Sequence, residues 1–187
     1  LVAQGQELAN HSYSHTNFTT LTYDGVQTEV QKAEDAFMNL YGETTKPLVR
    51  PPFGAYNDTT LEALGDEGFT HTILYNIDTS DWTKNSADDI LEIVIDGIEP
   101  GSIILMHSAY GLNTAAALPE IIRQLSEMGY EFVTVSQLLA YDGNVDPDPD
   151  PDPTGSSEVI SKVDTTSKVV ALTFDDGYGP TTLNILD

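Results

Sequence analysis

The chain has no cysteine, so no disulfide framework underlies its fold and thiol redox chemistry is ruled out. It is almost as poor in bases: seven Lys and Arg stand against 30 Asp and Glu, a formal net charge of -23. That balance argues against nucleic acid or an anionic membrane surface as partner and fits a neutral substrate. No run of about 18 apolar residues occurs, so no membrane span is expected. A start methionine and a charged leader are also missing from Leu1-Val2-Ala3-Gln4, which reads as the opening of a mature product or an excised fragment. What is present is 187 residues, 40 % hydrophobic and with nine tyrosines. That is enough for one domain with a proper core, or for one domain plus a fragment.

Strand-like and helix-like segments alternate along the chain. Gly5 to Asn10 reads as a short strand ending at His11. Asp24 to Tyr41 carries Val26, Val30, Ala33, Phe37 and Leu40 at helical spacing, with Gly42 placed to stop the helix. Pro47 to Val49 is a brief strand running into Arg50-Pro51-Pro52-Phe53-Gly54, where two prolines and a glycine force an extended turn. Asn57 can cap a helix ending near Gly65 to Gly68, and Ser86 one from Ala87 to Ile98. Phe69 to Ile77 reads as a single strand leading into Asp78-Thr79-Ser80-Asp81-Trp82, with His71 structural inside it. Ser102 to Met106 reads as a buried strand ending at His107. A helix over Thr114 to Met128, a strand over Glu131 to Val135 and a short helix to Ala140 complete this part. Such alternation predicts a parallel α/β sheet or barrel with its chemistry on the loops after the strands.

From Asp146 to Pro153 aspartate and proline alternate strictly, which suits neither helix nor sheet and gives an extended, self-repelling spacer. The expected division is therefore a barrel domain over 1–141, an acidic linker over 142–167, and a final unit over 168–187. That last unit holds one more apolar strand, Lys168 to Phe174, running into Asp175-Asp176-Gly177, with Thr181 placed to cap a helix start.

The motif that bears on chemistry first is His11-Ser12-Tyr13-Ser14-His15. If Ser12 to His15 form one helical turn, both imidazoles face the same way and can reach one metal ion. Two surface histidines beside a turn would read the same. A catalytic site of this kind needs about three protein ligands and an open position for water. Asp175-Asp176 at a strand end can supply the missing carboxylate, with a second one beside it free to act as a base.

Together, Thr173-Phe174-Asp175-Asp176-Gly177, His11-Ser12-Tyr13-Ser14-His15, Arg50-Pro51-Pro52-Phe53-Gly54, Asp78-Thr79-Ser80-Asp81-Trp82 and Leu105-Met106-His107 resemble the five motifs of the polysaccharide deacetylase family, the NodB-homology enzymes of carbohydrate esterase family 4. The resemblance implies a distorted (β/α) barrel and hydrolysis of acetyl groups from a β-linked glycan such as peptidoglycan, chitin or acetylated xylan. It implies Asp176, His11 and His15 as ligands of Zn2+ or another divalent transition metal such as Co2+. Asp175 would be the general base, paired with Arg50, and the backbone N–H of Phe53 would stabilise the oxyanion. Phenylalanine stands there where the family often has tyrosine. His107 would protonate the leaving group, with Asp81 as its partner and Asp78 as the alternative. Trp82 and Leu105 would wall the acetyl pocket, although by position alone they read as core. The family's substrates imply an extracellular or cell-wall setting. A catalytically inactive carbohydrate-binding module that keeps the fold is the rival reading.

The order of the motifs departs from the family, because the T-F-D-D-G strand comes last instead of first. Joining the ends leaves 21 residues between Asp176 and His11, where the family's helix, strand and helix need roughly 35 to 45 at ordinary element and loop lengths. A window cut from a tandem protein explains this better than a circular permutation, and would make a second copy of the domain a partner. The expectation is an incomplete barrel, open on one side, whose vacant slot the strand Val169 to Phe174 fills, bringing its aspartates towards His11 and His15.

Overall fold

A computed structural model describes residues 5–83, 86–108, 112–142 and 155–175. The Asp-Pro run, Asp176 and the helix start at Thr181 lie outside the described residues.

The helices begin where capping side chains are available. In α1 (Tyr23–Tyr41) the Thr22 side chain accepts from the Gly25 N–H, and Gly42 at φ 72° turns the chain out while its N–H bonds back to the Met38 carbonyl. The left-handed turn suits a residue without Cβ. Asn57 accepts from Thr60 N–H to open α2 (Asp58–Asp66). Reciprocal side-chain and backbone bonds between Ser86 and Asp89, and between Thr134 and Gln137, open α3 (Ala87–Gly97) and α5 (Val135–Leu139). Between them α4 spans Leu112–Glu127.

Two parallel sheets carry the strands. One has the order β1 (Leu48–Val49), β2 (His71–Ile73), β6 (Glu158–Ile160); the other β3 (Ile77–Asp78), β4 (Ser102–His107), β7 (Val169–Asp175), β5 (Glu131–Phe132). Period-two alternation sorts their side chains. Ile103, Val169 and Ala171 point inward and meet Leu48, Ile73, Leu138, Leu139, Ile160 and Val163, so this core spans both sheets. Ile104, Met106 and Val170 point outward under Ile90 and Val94 of α3 and Ile121 and Leu125 of α4. A third cluster seats Val26 and Val30 of α1 and Leu64 of α2 on Val49, Phe18 and Phe69. Inner core, strands and outer helices together make an incomplete, distorted (β/α) barrel. A cleft of about 360 Å³ lies between Gly5–Leu8, Phe37, Thr134 and Ser136.

Four expectations need correcting. Gly5 to Asn10 is not a regular strand: only Asn10 pairs, in an isolated parallel bridge to Val49. Phe69 to Ile77 is not one strand. It breaks into β2 and β3, which belong to different sheets, and Asn76 makes the corner: its side chain donates to Ser102 Oγ (3.1 Å) and accepts from the Ile103 N–H (2.9 Å), taking the place of ladder bonds. The apolar stripe of α1 outruns the surface it meets, leaving Leu40 74 % exposed. Finally, residues 142–167 are not all spacer. Glu158–Ile160 forms β6 parallel to β2, and Ile160 and Val163 enter the inner core. Short β-branched runs bury well once a neighbouring edge is available, even inside a polar segment.

Strand β7 lies in the middle of its sheet. It pairs with β4 over Ser102↔Val170 to His107↔Asp175 and with β5 over Glu131↔Val169 and Phe132↔Val170.

Candidate active site

The site residues gather at the C-terminal ends of the strands, as the barrel form requires. Arg50, leaving β1, is 5 % exposed. Its Nε donates to the Ile73 carbonyl (3.0 Å) and one terminal nitrogen to the Leu74 carbonyl (2.9 Å). The other terminal nitrogen donates to Asp175 Oδ1 (2.8 Å) and Thr173 Oγ1 (2.9 Å). Thr173 in turn gives its single proton to the Ile104 carbonyl (2.7 Å), which leaves a lone pair for Arg50. A charge so fully bonded is fixed in place, and it holds the Asp175 carboxylate in one orientation.

The other Asp175 oxygen, Oδ2, lies 3.8 Å from His11 Nε2. His11 Nδ1 is 2.7 Å from the Arg50 carbonyl. A carbonyl only accepts, so Nδ1 carries a proton and Nε2 is the nitrogen turned towards Asp175. The His15 ring lies 5.2 Å from the His11 ring, and its edge contacts Phe53 at 4.7 Å. The histidines meet without the expected helical turn. Ser12 and His15 adopt left-handed backbone, φ 68° and 56°. Asn10 Oδ1 accepts from the Ser12 N–H, Ser12 Oγ accepts from the His15 N–H, and Glu29 accepts from both N–H and Oγ of Ser14. The Asn10 side chain also donates to the Val30 carbonyl, tying the loop to α1.

Among the described residues the non-glycine positions with positive φ are Ser12, His15, Phe53 and Ser80. All four sit in loops that carry predicted site residues. Such backbone costs of order 1 to 3 kcal/mol and persists only where the surroundings enforce it.

At the end of the adjacent strand β4, His107 Nδ1 donates to Asp81 Oδ1 (2.7 Å), and the His107 backbone N–H donates to Asp81 Oδ2 (2.7 Å). Thr114 of α4 adds a bond to the same Oδ2. Burial raises the Asp81 carboxyl's pKa, but the bonds from His107 and Thr114 outweigh it and hold the group below its ordinary range. Asp81, not Asp78, is thus the partner of His107; the Asp78 side chain instead accepts from the Ser80 N–H (2.8 Å). Leu105 is buried, whereas Trp82 is 56 % and Phe53 67 % exposed, so neither ring is core.

His11, His15, Arg50, Asp175 and Phe53 therefore stand together, with Asp81 and His107 forming their own pair; His107 is registered against Asp175 across β4 and β7. Asp176 lies outside the described residues, and no group of three side chains able to hold a metal stands among the described ones. The donor chemistry nevertheless suits a divalent cation: one imidazole with Nε2 turned to the site, a second imidazole beside it and a carboxylate next in sequence. Sequence reasoning missed Thr114, Thr173 as the acceptor for Arg50, and Tyr75, whose ring lies 5.7 Å from the guanidinium. Burial and the nearby Asp78 charge push the Tyr75 phenol up. No local pattern marks Thr114, which stands 33 residues from Asp81.

At its strand ends this parallel barrel brings an Arg–Asp pair beside two histidines and sets an Asp–His pair on the neighbouring strand. Residues 1–72 match the family described as polysaccharide deacetylase. The peptidoglycan-N-acetylglucosamine deacetylase of Bacillus cereus is 33 % identical over 138 residues, 72 % of this chain and 50 % of that protein. A solved family 4 carbohydrate esterase domain of a multidomain xylanase, from the hindgut metagenome of Trinervitermes trinervoides, superimposes with a TM-score of 0.70. It is 30 % identical and covers 87 % of this chain and 74 % of that one. A family 4 pseudoenzyme from Bacillus anthracis gives a TM-score of 0.68 at 32 % identity, over 73 % of this chain and 47 % of that one. The chain belongs to the polysaccharide deacetylase family, carbohydrate esterase family 4. It spans about half the length of the first curated relatives it matches, 50 % and 53 %.

Proposed function

We propose that the chain hydrolyses acetyl groups from a β-linked glycan, N-acetylglucosamine polymers such as peptidoglycan or chitin first and acetylated xylan second, outside the cell or at its wall. The observation that carries this reading is the bond from buried Arg50 to Asp175 Oδ1, with Oδ2 turned towards His11.

His11, His15 and Asp176 would hold a divalent cation, zinc or a relative such as cobalt, which when bound supplies Lewis-acid activation of water and of the acetyl carbonyl. Asp175 takes the proton of the attacking water at Oδ2, while Arg50 keeps Oδ1 occupied and the carboxylate in one orientation. Developing negative charge on the carbonyl oxygen meets the backbone N–H of Phe53, a contribution that needs no phenol on that side chain. His107, with Nδ1–H fixed on Asp81, presents Nε2 as the atom that protonates the departing nitrogen or oxygen. Trp82, exposed beside this pair, and Leu105 line the space for the acetyl methyl.

The test is acetate release from N-acetylglucosamine oligomers by this chain, supplied with zinc and again after chelation, beside Asp175→Asn. Zinc-dependent release that falls ~10²- to 10⁴-fold in the variant is expected from loss of a general base. A folded chain that releases no acetate under either condition would overturn the reading. It would favour the binding-module alternative, which the likeness to a pseudoenzyme keeps in view.

A further inference from the structure

We infer that Thr114 is a positioning residue for the Asp81–His107 pair. The inference rests on the deacetylase reading for its kinetic consequence, but its structural consequence is independent of it.

The Asp81 side chain is wholly buried. Two of its hydrogen bonds come from a single residue: His107 Nδ1 to Oδ1 and the His107 backbone N–H to Oδ2, each 2.7 Å. Donors from one residue leave the carboxylate free to rock with that residue. The third bond, Thr114 Oγ1 to Oδ2, comes from a different element, the first turn of α4. Thr114 is itself fully buried, so water cannot replace its hydroxyl without a cavity. With Oδ2 pinned between the His107 N–H and Thr114, Oδ1 stays on the imidazole Nδ1–H. That keeps the proton on Nδ1 and leaves Nε2 as the nitrogen facing substrate. Helix α4 packs against α3 and β4 through Ile121 and Leu125, so the hydroxyl sits on a rigid support. A structural hydroxyl would have served equally well bonded to its own helix, as the hydroxyl of Thr28 is to the Asp24 carbonyl. Thr114 instead spends its proton on the one carboxylate that orients the proposed acid.

Thr114→Val removes the donor at constant shape and Thr114→Ser keeps it. Two readouts on the full chain decide the matter. The first is the proton resonance of the His107 Nδ1–H, held downfield by its bond to Asp81 and assigned by its loss in His107→Gln. It is expected in the wild type and in Thr114→Ser, and expected to broaden or move upfield in Thr114→Val. The second is acetate release, where Thr114→Val is expected to lose roughly 10-fold or more in kcat, the usual scale for outer-sphere partners, with little change in KM. Thr114→Ser should recover most of it. Should Thr114→Val not fold, Thr114→Ala gives up the same donor without placing a methyl against the carboxylate and is read the same way. A Thr114→Val or Thr114→Ala protein with an unmoved resonance and an unchanged kcat overturns the inference. A wild type that shows the resonance but releases no acetate overturns the deacetylase reading instead, and the resonance alone then decides the role of Thr114.

Discussion

At the scale of single residues, Arg50 and His71 show two opposite ways of burying a base. Two carbonyls, a hydroxyl and a carboxylate satisfy the donors of the buried Arg50 guanidinium. His71, 8 % exposed within β2, has its Nδ1 bonded to the Thr70 hydroxyl and no comparable set of partners among the described residues. Burial therefore lowers its pKa below 6.5, with Glu158 opposing only in part. The stability consequence has a definite sign. Below pH 6.5 the unfolded chain takes up a proton that the folded chain refuses, so stability is complete above 6.5 and declines as pH falls through the lowered folded value. Denaturant midpoints at pH 7.5 and pH 5.5 should differ more in the wild type than in His71→Gln, which has no such proton to bind. Equal pH sensitivity in the two proteins would show that His71 titrates normally and that burial does not govern it.

At the scale of elements, helix boundaries were the most legible features, because Asn57, Ser86 and Gly42 act through their own neighbours and each does what its residue type suggests. The strands were less legible. Nothing in Phe69 to Ile77 announces that Asn76 will bond across to Ser102 and Ile103 and turn the chain from one sheet to the other. Likewise the histidine loop depends on Asn10, Glu29 and left-handed backbone, where spacing alone suggested a helical turn. Of the candidate site, the described residues that motifs carry, such as Arg50, Asp175, Asp81 and His107, could be singled out in advance; those reaching them from elsewhere in the fold, Thr114 above all, could not. Strand β6 was missed for the same reason, since its partners on β2 lie 87 residues away, His71 against Glu158. Its docking can be tested by a substitution whose sign reverses with the answer. Gly65 lies inside α2, where alanine ordinarily gains about 1 kcal/mol in helix propensity. A Cβ there would, however, approach the Gly155 carbonyl oxygen at 1.8 Å. With residues 155–160 seated as described, Gly65→Ala must expel them or deform α2, and chemical denaturation should show a loss of stability. A gain would mean that this segment does not lie against α2.

At the scale of the whole molecule, the dominant fact is charge. Thirty acids face seven bases, and among the described residues three of those bases form ion pairs with acids: Arg50 with Asp175, Arg123 with Glu120 and Glu127, and Lys162 with Glu99. The first pair is buried and little affected by salt. The others are exposed, and such pairs contribute about 0 to 1 kcal/mol, so screening them costs little. Against that small loss stands the mutual repulsion of the remaining carboxylates, which works against the compact state and acts over the Debye length, about 30 Å at 0.01 M ionic strength and 3 Å at 1 M. Repulsion is the larger effect, so added salt should stabilise this protein. Each kcal/mol relieved corresponds to about 2 to 4 °C in the melting temperature of a domain of this size. Thermal unfolding followed by circular dichroism from ~10 mM to ~500 mM sodium chloride should therefore show a rising midpoint. Sodium bromide at equal ionic strength should act nearly alike, because the effect is screening and not exclusion from the surface. A midpoint that falls with salt would show that paired charges outweigh repulsion, and that the acidic surface is held together by contacts instead of opposed by its own field.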